Sequence, residues 1–112
     1  MDAYVQTEER DVVFKEFLRL KENNSCFDCG SKNPKWASVN LGLSICFDCS
    51  GRHRSFGTSI SFVRSIDLDK WKRHQLEGML LGGNLLAKQK FKELNIDYED
   101  KYINYSNPKV SK

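Results

Sequence analysis

The chain has 112 residues, of which 39% are hydrophobic, 12% aromatic and 29% charged. That is one domain with one modest core, a size at which a bound metal or disulfides carry much of the stability. The 2 prolines and 7 glycines exclude a linker-like or collagen-like chain, and 18 basic against 15 acidic residues leave a net charge of +3, which permits an anionic partner without requiring one.

In chain order, the N-terminal segment from Met1 to Glu9 is acidic and polar, with neither the basic start nor the apolar stretch of a secretory signal. No apolar run reaches the length of a membrane-spanning helix. A reducing compartment is therefore expected. Residues 8–22 are predicted as the first helix, with Thr7 as cap and Glu8 and Glu9 complementing the helix dipole. Its apolar stripe is Val13, Phe17 and Leu20, with Phe14 and Leu18 beside it, and Asn23-Asn24-Ser25 ends it. Trp36–Asn40 and Leu43–Cys46, separated by a turn at Leu41-Gly42, read as paired strands. A short helix follows over Phe47–Phe56, closed by Gly57. Residues 62–66 form a third strand. Asp67 or Asp69 is predicted to cap a helix running to Leu81, with Trp71, Leu76, Met79 and Leu80 inward. Gly82-Gly83 breaks it, and Asn84 caps a last helix with Ala87, Phe91 and Leu94 on one face. Beyond Asn95 the pattern weakens, and the expected division is a domain over 1–95 with an extension over 96–112 that packs on it or frays.

The four cysteines are Cys26, Cys29, Cys46 and Cys49, spaced C-x2-C, sixteen residues, C-x2-C. Two cysteines three apart on a tight turn aim both sulfurs at one point, and two such turns complete a tetrahedron. Gly30 and Ser50-Gly51 supply small residues where the chain bends. One structural zinc ion is the expected occupant, and zinc contributes roughly 10–16 kcal/mol of apparent free energy to small domains. Two disulfides or a redox pair fit the paired spacing and the absent signal sequence less well. Charge is uneven as well: residues 52–73 sum to +4, and residues 1–25 to −2.

Adding Arg54 makes the pattern C-x2-C-x16-C-x2-C-x4-R. With Asn33-Pro34-Lys35-Trp36-Ala37-Ser38-Val39, Ser50-Gly51, His53-Arg54-Ser55-Phe56-Gly57, Val63-Arg64-Ser65, Leu68-Asp69, Trp71 and Gly83-Asn84, it resembles the zinc-finger domain of GTPase-activating proteins for ADP-ribosylation factors, the ArfGAP family, over residues 8–95. The runs Ser61–Ser65 and Gly82-Gly83-Asn84 resemble its Golgi, coatomer-associated branch. The resemblance implies an α+β fold: a small zinc-ribbon-like finger with a short, three-stranded sheet surrounded by several α-helices. It also implies that Arg54 is a catalytic finger lent to a GTP-loaded ADP-ribosylation factor, and that Trp36, Phe47, Leu68 and Asp69 face that GTPase. Arg52 departs from the apolar residue usual there, and is expected to contact the GTPase surface. Coatomer is an implied further partner. Membrane recruitment is assigned to segments outside this chain, and the implied location is cytoplasmic, peripheral to Golgi membranes.

His53 reads as a helix side chain bonded to backbone, since four thiolates need no fifth ligand. His74 carries no signal. Ser38, Ser44 and Ser55 form no nucleophile arrangement with a histidine and an acid. Gly82-Gly83-Asn84 lacks the context of a phosphate loop, so no nucleotide is expected on this chain itself. The expected chain is a monomer and an activator of an enzyme. A four-cysteine DNA-binding module is the rival, set against by Asp67 and Asp69 within the basic stretch and by the lack of a dense Arg/Lys/Asn row. A non-catalytic adaptor finger is the third possibility.

Overall fold

A helix ends where its last carbonyls find partners elsewhere. In the computed structural model, which describes residues 3–110, two asparagines set that point for the first helix, α1, which spans Thr7–Phe17. The Asn23 amide donates to the Phe17 carbonyl at 2.8 Å, and the Asn24 amide donates to the Leu18 carbonyl. The chain then turns and resumes as a single 3-10 turn over Lys21–Asn24. The expected helix over 8–22 is thus divided, and Thr7 is its first residue rather than its cap. Phe14 and Phe17 are buried as expected, whereas Leu20 lies past the helix end and is exposed.

The three expected strands form, each shorter than its apolar run. They are β1 (Trp36–Ser38), β2 (Leu43–Ile45) and β3 (Val63–Ser65), in the order β2-β1-β3 and antiparallel throughout. Asn40 ends β1 pairing by accepting the Phe62 N–H at 2.8 Å and donating to the Ile60 carbonyl at 2.7 Å. Strand alternation sends Ala37 into a core with Phe14, Phe17, Ile66, Trp71, Leu76 and Met79. Leu43 and Ile45 pack in a second core with Cys26, Phe27, Phe91 and Tyr105.

Helix α2 covers Phe47–Ser55 directly after β2. The next helix, α3, ends at Leu81 as expected but begins only at Arg73, later than expected, because neither aspartate caps it. Asp69 accepts the Ser65 N–H at 2.8 Å, and Asp67 accepts the Ser65 hydroxyl at 3.0 Å. Trp71 precedes α3 and is fully buried, donating from Nε1 to the Ser65 carbonyl at 2.9 Å. Leu80, expected inward, is 47% exposed.

Helix α4 spans Asn84–Glu93. Asn84 is its first residue, not its cap. The cap role falls to Asn23, whose Oδ1 accepts the Asn84 N–H at 2.9 Å. Gly83 brings the chain there at φ +100, and a Cβ on it would lie 3.1 Å from Asn23 Oδ1. The Asn84 side chain faces inward. It accepts the Ser44 N–H at 3.0 Å and donates to the carbonyls of Glu22 at 2.9 Å and Ser25 at 2.8 Å and to Ser44 Oγ at 2.9 Å. One buried amide thereby joins the 3-10 turn, β2 and α4. A 3-10 turn (Tyr98–Asp100) and helix α5 (Lys101–Asn104) follow, and Tyr105 is buried in the second core. Among the described residues, five α-helices around a three-stranded antiparallel sheet make the fold α+β, as expected. No helix of the described residues is long and apolar enough to cross a membrane.

Asn84→Ala strands the Ser44 N–H and several acceptors in a dry interior. Its expected cost is about 2–4 kcal/mol of unfolding free energy. Urea titration of variant against wild type measures it, and an unchanged midpoint would show that the staple adds nothing.

Candidate functional site

Cys26 and Cys29 sit on a turn closed by a bridge between Ser25 and Lys32. The Cys26 N–H donates to the Ser31 carbonyl and the Gly30 N–H to the Cys26 carbonyl, both at 2.8 Å, with Gly30 at φ +82. Cys46 is the N-cap of α2, and its sulfur accepts the Cys49 N–H at 3.5 Å. All four Sγ atoms lie within 4.8 Å of one another, and Cys29 and Cys46 are 3.6 Å apart. A tetrahedral ion with metal–sulfur bonds of about 2.3 Å requires sulfur–sulfur edges of about 3.8 Å. The four cysteines are thus positioned to bind one metal ion, and all are free of disulfides. Burial pushes the Cys26 and Cys49 thiols up, while the Ser31 hydroxyl and N–H bring Cys29 down to about 7. A bound cation reverses the burial effect by stabilising thiolate, and the N-terminus of α2 acts in the same direction.

Between the first two cysteines lies Asp28, which is buried. Its Oδ2 is 2.7 Å from His53 Nε2, and its Oδ1 accepts the Tyr105 hydroxyl. His53 Nδ1 lies 2.7 Å from Ser61 Oγ, itself 2.6 Å from Ser38 Oγ. Burial, and then the Asp28 charge, push the Tyr105 hydroxyl upward, so it stays protonated and donates. His53 is therefore bonded to side chains from two other parts of the chain, Asp28 and Ser61, not to backbone as expected.

The next residue, Arg54, is exposed. Its guanidinium carbon is 4.8 Å from the centroid of Trp36, a half-buried indole at the start of β1. Phe47, 67% exposed at the start of α2, lies 5.9 Å from Trp36 between ring centroids. The register pairs Trp36 with Ser65, so the turn after β3 leaves from the same end of the sheet. Leu68 stands on that turn, 81% exposed, with its N–H on Ser65 Oγ at 3.1 Å. Arg54, Trp36, Phe47 and Leu68 thus supply one cation and three apolar groups accessible to a partner.

A family model described as "Putative GTPase activating protein for Arf", ArfGap, matches residues 11–111. The chain belongs to the ArfGap family. Among curated relatives, it is 44% identical over 95 residues to ADP-ribosylation factor GTPase-activating protein 3 of Bos taurus, covering 84% of this chain and 18% of that protein. It is 43% identical over 94 residues to ADP-ribosylation factor GTPase-activating protein GCS1 of Saccharomyces cerevisiae, covering 83% of this chain and 27% of that one. The chain therefore spans about a fifth to a quarter of the length of these relatives. A crystal structure of a "putative GTPase activating protein for ADP ribosylation factor" from Cryptosporidium parvum superposes with a TM-score of 0.88 at 38% identity, covering 96% of this chain and 86% of that one.

In this ArfGap domain the other two expected contact residues are engaged internally. Arg52 lies with its guanidinium carbon 4.0 Å from the centroid of Tyr102, on the C-terminal segment. Asp69 accepts the Ser65 N–H through its carboxylate and Arg10 Nη1 through its carbonyl at 3.1 Å. Asp28, Ser61 and Tyr105 were not legible as site residues. The available signal was a carboxylate set between two thiol ligands, which needs a buried donor.

A strong chelator is expected to strip the ion from the ArfGap domain and abolish its far-ultraviolet helical signal, because the knuckles then hold four mutually crowded thiols. Retained helicity after verified metal loss would show that the ion is dispensable for folding.

Proposed function

We propose that this ArfGap domain accelerates GTP hydrolysis on a GTP-loaded ADP-ribosylation factor, with Arg54 as a finger supplied in trans. The observation that carries the reading is the exposed Arg54 guanidinium, resting on Trp36 beside two exposed apolar side chains. Guanidinium is planar, permanently charged and able to bridge two oxygens, which suits charge developing on a transferring phosphoryl group. A trans arginine is worth roughly 10³–10⁵ in rate, or about 4–7 kcal/mol of barrier. The last turn of α2 favours a cation there, since the helix dipole is negative at that end. Trp36 holds the free guanidinium near its working position at little enthalpic cost, and contact with the partner's phosphates is strong enough to draw it away. Phe47 and Leu68 offer apolar surface to the GTPase.

Zinc is the ion we assign to Cys26, Cys29, Cys46 and Cys49, since an all-thiolate tetrahedral set suits it. Its contribution is structural, fixing the start of α2. The GTPase brings the nucleotide and the attacking water, and this chain brings no nucleotide site of its own. Recruitment to Golgi membranes, and contact with coatomer, fall to segments outside these residues. The reading includes a monomeric domain.

The basic residues of 52–73 do not favour nucleic acid. Arg52 lies on Tyr102, Arg64 lies 4.6 Å from the Phe62 ring centroid, and Arg73 pairs with Glu9 at 2.9 Å. Three of these cations are thus already held against an aromatic ring or a carboxylate of this chain, rather than offered unpartnered to phosphates.

Phosphate release from GTP-loaded ADP-ribosylation factor tests the reading. Wild type is expected to accelerate it, and Arg54→Lys or Arg54→Ala to remove at least about 10³ of that acceleration with the fold intact. Binding without acceleration would leave an adaptor. Leu68→Ala is expected to raise KM while kcat holds, because an apolar contact made equally in ground and transition states changes binding alone.

A further inference from the structure

Three consecutive residues of α2 have three different fates. Arg52 lies on Tyr102, His53 is buried between Asp28 and Ser61, and Arg54 is exposed against Trp36. Successive residues point about 100° apart around a helix, so the direction of Arg54 depends on how the helix is rolled about its axis. At the outer radius of a helix, about 6 Å from the axis, a roll of about 10° moves a side chain by about 1 Å. Misplacement by about 1 Å can cost up to about 100-fold in rate.

What sets the roll is the buried chain of side chains through His53. An ionised carboxylate only accepts, so His53 Nε2 carries a proton toward Asp28. When His53 is neutral, Nδ1 accepts from Ser61, and Ser61 accepts from Ser38. The Tyr105 hydroxyl takes the other Asp28 oxygen, and its ring lies 4.9 Å from the imidazole. These residues come from the first cysteine turn, β1, the loop before β3 and the C-terminal segment. The geometry points to Asp28, His53, Ser61 and Tyr105 as positioning residues that orient Arg54, with the C-terminal segment thereby part of the GTPase-activating unit. This rests on Arg54 being the finger.

Tyr105→Phe removes one oxygen and keeps the ring, and Ser61→Ala breaks the relay at its other end. In single-turnover assays with GTP-loaded ADP-ribosylation factor, each is expected to lower kcat roughly 3- to 30-fold with KM unchanged. Neither should reduce the residual rate further in an Arg54→Lys background, because the relay acts through that side chain. In parallel, ¹⁵N relaxation of the Arg54 Nε–H in the metal-loaded chain alone should report an ordered group in wild type and a mobile one in both variants. Wild-type kcat and wild-type Arg54 order in both variants would overturn the relay, as would an equal further loss in the Arg54→Lys background. A wild-type chain that fails to accelerate hydrolysis would overturn the functional reading instead, and the relaxation data would still judge the relay.

Discussion

The contact between the Asp28 carboxylate and the His53 imidazole joins the first cysteine turn to the helix that carries Arg54. Both groups are fully shielded from water. A buried carboxylate is tolerated only when its oxygens are occupied, and here the imidazole and the Tyr105 hydroxyl take one each. Removing either partner would leave a desolvated charge, so the loss of one is costly even though the pair need not outweigh apolar packing, and the three elements they come from are held in one specific arrangement. The metal ligands bracket this contact in sequence, with Cys26 and Cys29 on either side of Asp28. The cysteine cluster and these hydrogen bonds therefore involve the same few ångströms of chain from two directions.

The surface around Arg54 follows a different logic. A long cationic side chain at large on a protein loses rotamer entropy when it enters a partner's pocket. In the role proposed for Arg54, resting on the Trp36 face would reduce the number of states to be given up. The indole can do this because strand alternation turns Trp36 away from the core that receives Ala37. Phe47 gains its exposure in a similar way: it is the first residue of a helix whose N-cap is a metal ligand, so it cannot fold inward without moving Cys46.

The C-terminal segment shows how a weak sequence pattern can hide a well-packed element. Tyr98, Tyr102 and Tyr105 have the same i, i+4, i+7 spacing as Ala87, Phe91 and Leu94 but sit among polar residues with little other apolar support, yet Tyr105 enters the second core and Tyr102 lies against Arg52. Short elements of this kind gain stability from what they touch, not from propensity. The asparagines behave alike. Asn23 looks in sequence like a helix stop and is one, but it also caps the distant α4, and Asn84, which looks like a cap, instead turns its amide inward to β2 and the 3-10 turn. Asp67 and Asp69 likewise look like caps and instead tie down the residues after β3.

Local chemistry was legible in the amino acids. The spacing of Cys26, Cys29, Cys46 and Cys49 predicts a shared centre because two residues between thiols set their reach, whatever the rest of the chain does. The three strands and α2 were legible for the same reason, since alternation and the glycine after the helix act over a few residues. Tertiary structure alone decided which side chains meet across long separations. His53 finds Asp28 25 residues away and Tyr105 finds Asp28 77 residues away. Such pairings depend on how buried polar groups satisfy one another after the elements pack, and hydrogen-bonding capacity in sequence names no partner.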